Sequence, residues 1–140
     1  MGRYKIIDGI TSDVGFEAEG KSLDELAEAS AKALFSIICD VSKVGRKKKA
    51  EFEIMAENPE MLLYDFLSRL VAESDINDMF FSGLDVSIDE RKESLLLKCT
   101  CFGEDKSREK SGAMVKAVTL HQFRLMEEDG KYLLRAYVDI

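Results

Sequence analysis

The chain has 140 residues, 46% of them hydrophobic and 34% charged, a size and composition that suit one globular domain over 1–140 with its own core. No apolar run approaches the ~20 residues that span a bilayer, and the start Met1-Gly2-Arg3-Tyr4-Lys5 lacks the apolar stretch of a secretion signal, which points to the cytoplasm. The formal net charge of −7 counts against direct nucleic-acid binding, which needs clustered Lys and Arg against phosphates, and favours a cation or a basic protein surface as partner.

Residues 3–8 and 13–19 read as short strands around the turn Gly9-Ile10-Thr11-Ser12. Ser22-Leu23-Asp24-Glu25 is a capping box, in which Ser22 accepts from the Glu25 amide and Glu25 reaches back to Ser22. It opens a helix with Leu23, Leu26, Ala27, Ser30, Ala33, Leu34, Ile37 and Ile38 on one face, ending near Cys39. Gly45-Arg46-Lys47-Lys48-Lys49 is a basic loop, either solvated or facing an acidic or phosphate-bearing partner. Phe52, Ile54 and Ala56 alternate in a strand over 50–56. Asn58 then caps a second helix with Pro59 at its first position, carrying Leu62, Leu63, Phe66, Leu67, Leu70 and Val71 and ending near Ser74.

From residue 79 the period changes to two, in runs 79–89, 94–103, 113–126 and 131–139, the last two joined by the hairpin signal Glu128-Asp129-Gly130. The order is therefore β-β-α-β-α followed by a four-strand β-meander: an α+β fold, with two helices packed on a mostly antiparallel sheet.

Three cysteines without a secretion signal read as reduced thiols. Cys99 and Cys101 fall on one face of a strand and pack as small hydrophobes. Only Cys39 and His121 remain to complete a four-ligand zinc site, which disfavours zinc.

Asp13 beside its turn is either a turn-former or a ligand. Asp139 is second from the end of an otherwise apolar strand, next to the carboxylate of Ile140, and two adjacent anions repel unless water or a cation screens them. Three carboxylates would converge if the fold brought Asp13 there, a set suited to hard divalent cations. His121 sits on the face of Val115, Ala117, Thr119 and Phe123, as a hydrogen-bonded core histidine or a functional group. Lys116 lies on the opposite face with Met114, Val118 and Leu120, snorkelling to solvent or pairing with an anion. No phosphate-cradling glycine loop, nucleophile elbow or triad occurs.

Four stretches together resemble the archease family. Thr11-Ser12-Asp13-Val14-Gly15 is similar to its His-Thr-Ala-Asp-Ile-Gly motif. Gly20 through Phe35 and Leu62 through Leu67 are similar to its helix patterns, and Val115-Lys116-Ala117-Val118-Thr119-Leu120-His121 is similar to its Val-Lys-Ala-Ile-Thr-Tyr-His strand. The Asp139-Ile140 ending completes the likeness, which covers the whole chain in order. Ile10 and Leu120 replace the family's histidine and tyrosine, and 104–112 lacks its usual histidine. The resemblance implies an accessory protein, not an enzyme, that promotes guanylylation and repeated turnover of an RtcB-type tRNA-splicing RNA ligase and broadens its nucleotide use. It implies a divalent metal, Ca2+ first, held by Asp13, Asp139 and the Ile140 carboxylate, with Lys116 and His121 as candidates for partner activation. A small metal-dependent hydrolase and a general chaperone or interaction module are the competing readings.

Overall fold

Two hydrophobic periodicities sort the described residues into two α-helices and seven strands. The computed structural model describes residues 2–8 and 13–140, so the expected turn at Gly9–Ser12, with Ile10 and the first two residues of the Thr11–Gly15 motif, lies outside the described residues. In order, β1 (Arg3–Asp8), β2 (Asp13–Gly20), α1 (Leu23–Ile38), β3 (Lys48–Ala56), α2 (Pro59–Asn77), β4 (Met79–Glu90), β5 (Leu95–Asp105), β6 (Ala117–Glu128) and β7 (Lys131–Asp139) follow one another, an α+β arrangement.

Local chemistry sets the boundaries. Ser22 Oγ accepts from the Glu25 N–H at 3.1 Å, and Glu25 reaches back one residue further than expected, to the Lys21 N–H at 3.3 Å. Asn58 Oδ1 accepts from the Met61 N–H at 2.9 Å, with Pro59 opening α2. That helix runs past Ser74 to Asn77, where Asp78 turns left-handed with φ 52°. The Asp129-Gly130 pair adopts positive φ at both residues (51° and 76°), the tight two-residue hairpin between β6 and β7.

The strands form two antiparallel sheets, one of order β1-β2-β7-β6 and one of order β3-β5-β4. The last four strands therefore do not make one meander: they are two hairpins, one in each sheet. The cause is the segment between them. β5 is already flanked by β4 and β3, so no edge is left beside it. The chain instead crosses to the end of α1, where Asp40 N–H donates to Lys110 O at 2.8 Å, Gly112 N–H to Ile38 O at 2.7 Å and Ala113 N–H to Ile37 O at 2.9 Å. The last two satisfy carbonyls that the helix end leaves open, and all three hold the crossing that delivers β6 to the other sheet.

Both helices touch both sheets. α1 is buried well beyond one stripe, including Ala27, Ala29, Ala31 and Ala33, whose small side chains let it lie close between neighbours. α2 buries Leu62, Leu63, Phe66, Leu67, Leu70 and Val71 and also covers β6. Tyr64 Oη donates to Val118 O at 3.0 Å, Leu125 N–H donates to Glu60 Oε2 at 3.0 Å, and the Tyr64 and Phe123 rings meet edge to face with centroids 5.3 Å apart.

The basic loop is neither bare nor a free phosphate cradle. Lys47 and Lys110 pair with the buried Glu104, Lys48 with Asp105 at 2.7 Å and Lys49 with Glu51 at 3.0 Å, while the Arg46 guanidinium lies 5.3 Å from the Phe102 ring centre. All three thiols are free and buried, with Cys99 and Cys101 sulfurs 3.5 Å apart as their shared face requires.

Candidate metal centre

Strand register puts the two aspartates together. β2 and β7 pair so that Asp13 stands opposite Asp139, Val14 opposite Val138 and Gly15 opposite Tyr137. On the other side of β7, Ala117 stands opposite Asp139. Residues directly opposite one another share a face, so Asp13, Asp139 and Ala117 form the last described rung of one surface of the four-stranded sheet. Ile140 follows Asp139 directly, and both are half-buried. The Lys116 N–H donates to Asp139 O at 2.7 Å, knitting the approach to β6 onto the end of β7.

The charge pattern along this surface is uneven. Two rungs inward from Gly15, Glu17 accepts from Arg135 Nη2 at 2.6 Å and Nε at 3.1 Å and pairs with Lys5 at 3.1 Å. Those partners, Arg135 foremost, hold the Glu17 carboxyl below its ordinary range. At the end rung, two carboxylates face each other and neither has an ion-pair partner among the described residues. Like charges directly opposite in a sheet destabilise it, so this rung favours a counter-cation. Between the two lies Gly15, where a Cβ would fall 2.6 Å from Tyr137 Cε1 and 2.7 Å from Cδ1: the tyrosine ring occupies the notch a side chain would fill.

The donor set is oxygen only, which suits a hard divalent cation. Among the described residues no group of three or more His, Cys, Asp or Glu side chains gathers around one point. Two carboxylate side chains, Asp13 and Asp139, are thus what the described residues bring to this candidate site.

Lys116 and His121 are placed differently from the alternation read in the sequence. β6 begins only at Ala117, so Val115 and Val118 are both buried while Lys116 is exposed beside Met114. Between Thr119, opposite Tyr137, and Arg124, opposite Arg135, β6 carries extra residues without counterparts, and Gln122 adopts φ 57°. That bulge turns His121 out to solvent, with its carbonyl accepting from Thr119 Oγ1 at 3.3 Å, and leaves Leu120 71% exposed. His121 is therefore not a core histidine. The bulge has no sequence signal; the pairing of Gly15 with Tyr137 had one, a glycine inside a strand, which marks a close approach.

The two largest open cavities of the described residues lie elsewhere. Open cavities of about 530 Å³ are lined by Glu51, Glu53, Asp85 and Lys98 on the three-stranded sheet and by Tyr4, Lys32, Phe35 and Ser82 beside α1, and neither includes Asp13 or Asp139. No helix of the described residues is long and apolar enough to cross a membrane.

Residues 4–140 match the Archease protein family (MTH1598/TM1083). The chain is 35% identical over 133 residues to protein archease of Pyrococcus abyssi, covering 93% of this chain and 94% of that one. It is 36% identical over 142 residues to protein archease of Sulfolobus acidocaldarius, with both chains fully covered. The solution structure of Methanobacterium thermoautotrophicum protein 1598 is similar with a TM-score of 0.84, at 34% identity and 98% coverage of each chain. A Thermotoga maritima crystal structure, described as an archease and possible chaperone, shares the fold with a TM-score of 0.65 at 18% identity, over 94% of this chain and 93% of that one.

Proposed function

The chain belongs to the archease family, and from that premise we propose that it is a cytoplasmic, metal-binding accessory protein of an RtcB-type tRNA-splicing RNA ligase, acting as one domain over 1–140. It promotes guanylylation of the ligase and so permits repeated turnover and wider nucleotide use, and it is not itself the catalyst. The observation that carries the reading is the end rung in which Asp13 and Asp139 stand opposite each other without a cationic partner among the described residues.

Asp13, Asp139 and the Ile140 carboxylate would hold the divalent cation, Ca2+ first, since calcium takes oxygen ligands in flexible geometry. The bound ion would supply a positive centre that offsets the facing carboxylates. Lys116 and His121, both exposed on the approach to and along β6, are the side chains offered to the ligase. With a net charge of −7 and the lysines of the 46–49 run paired within the molecule, the contact is with protein and not directly with RNA. The hydrolase reading draws no support from the two large open cavities of the described residues, neither of which includes Asp13 or Asp139. The chaperone reading keeps one support, the description of the Thermotoga maritima neighbour as a possible chaperone.

The deciding experiment is ligase guanylylation and multiple-turnover ligation with the organism's own RtcB-type enzyme, with and without this protein, in calcium and in chelator. The expected result is turnover beyond one equivalent only with the protein present, reduced by Asp13→Asn and by Lys116→Ala. Unchanged turnover would remove the ligase reading. Suppression of aggregation of unrelated proteins in the same preparation would move the assignment to a general chaperone.

A further inference from the structure

A pair of like charges is hard to hold at the place where a strand pair ends. The Asp13–Asp139 rung is the last described rung of the β2–β7 ladder, rungs near the end of a ladder open most readily, and repulsion between the facing carboxylates adds to that tendency. The core residues below it, Phe16, Ala136 and Val138, are fully buried and fix the strands on the inner face. On the outer face, where the aspartates stand, the neighbouring rung is Gly15–Tyr137. Its ring lies across the backbone of β2, with Cε1 and Cδ1 at 2.6 and 2.7 Å from where a Cβ would be. An aromatic side chain over a cross-strand glycine is a device that pins strand pairing. Here it sits one same-face step from the charged rung.

We propose that Tyr137, seated in the notch left by Gly15, is the positioning residue of the two-aspartate centre, clamping the end of the β2–β7 ladder so that Asp13 and Asp139 stay opposed. This rests on the metal reading of that rung. Tyr137 supplies no ligand in this role; it acts through the backbone it covers. Glycine is required because any Cβ evicts the ring, and a ring is required because a short side chain leaves the notch empty.

The test combines amide exchange with calcium titration on the whole chain, comparing wild type with Tyr137→Phe, Tyr137→Ser, Gly15→Ala and the Gly15→Ala/Tyr137→Ser double variant. Tyr137→Ser and Gly15→Ala are expected to speed exchange at amides 14–16 and 137–139 by tenfold or more while amides 132–134 keep wild-type rates. They should weaken calcium binding about tenfold, with Tyr137→Phe close to wild type in both measurements. In the Tyr137→Ser background, Gly15→Ala should add nothing, since the contact it breaks is already gone. Uniformly faster exchange along β7, or unchanged exchange at the end rungs, overturns the clamp. Wild-type calcium affinity in Tyr137→Ser removes the positioning role and leaves the metal centre standing. Absence of calcium uptake by the wild type removes the metal reading, and the positioning role falls with it.

Discussion

Replacing Asp13 by Asn should change the sign of its effect on stability according to the metal present. The side chain stands directly opposite Asp139 with no ion-pair partner among the described residues. Without metal, its charge costs the fold a few tenths to about 1 kcal/mol, the range for cross-strand pairs. Scaled to 140 residues, 1 kcal/mol moves the melting midpoint by about 3 °C. Asp13→Asn in chelator should therefore melt up to ~3 °C above wild type. In calcium at about 100 times its dissociation constant the wild type gains ~2.7 kcal/mol by mass action, close to 9 °C. The variant, with one carboxylate fewer, gains little. The two melting curves should thus exchange order between chelator and calcium, read by calorimetry or circular dichroism near pH 7. A variant that melts below wild type in chelator and shows the full calcium increment would refute both the uncompensated pair and the ligand role.

Three further expectations concern the frame around that rung. Glu17, whose carboxyl is held below its ordinary value of 4.5 by Arg135 and then Lys5, contributes stability that is complete above pH 4.5 and lost as pH falls through its folded value; denaturant melts at pH 6 and pH 3 should show a smaller acid loss for Glu17→Gln than for wild type. Cys39, 3% exposed with its thiol pushed up to about 11 chiefly by burial, and the buried Cys99 and Cys101 should all resist iodoacetamide in the folded protein and all react in denaturant, as counted by mass spectrometry. Phe66→Ala, at a fully buried site on α2, should cost about 3–5 kcal/mol in chemical denaturation, with a loss under 1 kcal/mol showing that the helix is not seated on the core as described.

Features that depend on a few consecutive residues were readable from the sequence. Ser22 and Asn58 cap the helices they were expected to cap, and Asp129-Gly130 makes its hairpin, because caps and tight turns are decided within one turn of backbone. Helix α2 outran its expected end because Ile76 is 77% exposed and carries no periodic signal. What local pattern could not disclose was partnership between distant segments. Asp13 and Asp139 meet only because β7 inserts between β2 and β6, and no spacing in the chain encodes that choice. The division of the last four strands between two sheets depends on the crossing at 110–113 to the end of α1, held by backbone bonds whose donors are present in any sequence. The same limit hid the bulge of β6, where alternation continues on paper through residues that have no counterparts across the strand. His121 was placed by that alternation and is instead turned outward by the interruption.

The docking of α2 along β6 gives the four-stranded sheet two unlike margins. At β6, main-chain groups of Val118 and Leu125 are taken by Tyr64 and Glu60, so a foreign strand meets a helix instead of a free ladder. At β1, residues 3–6 are exposed and no strand among the described residues pairs with the outer main chain. An exposed edge is a template for another strand, but here growth through this sheet is self-limiting. Two copies joined at β1 would each turn a helix-sealed margin outward, and no third could add to either side. One-ended templating of this kind terminates at a pair, so this sheet cannot propagate into a fibril while α2 stays in place.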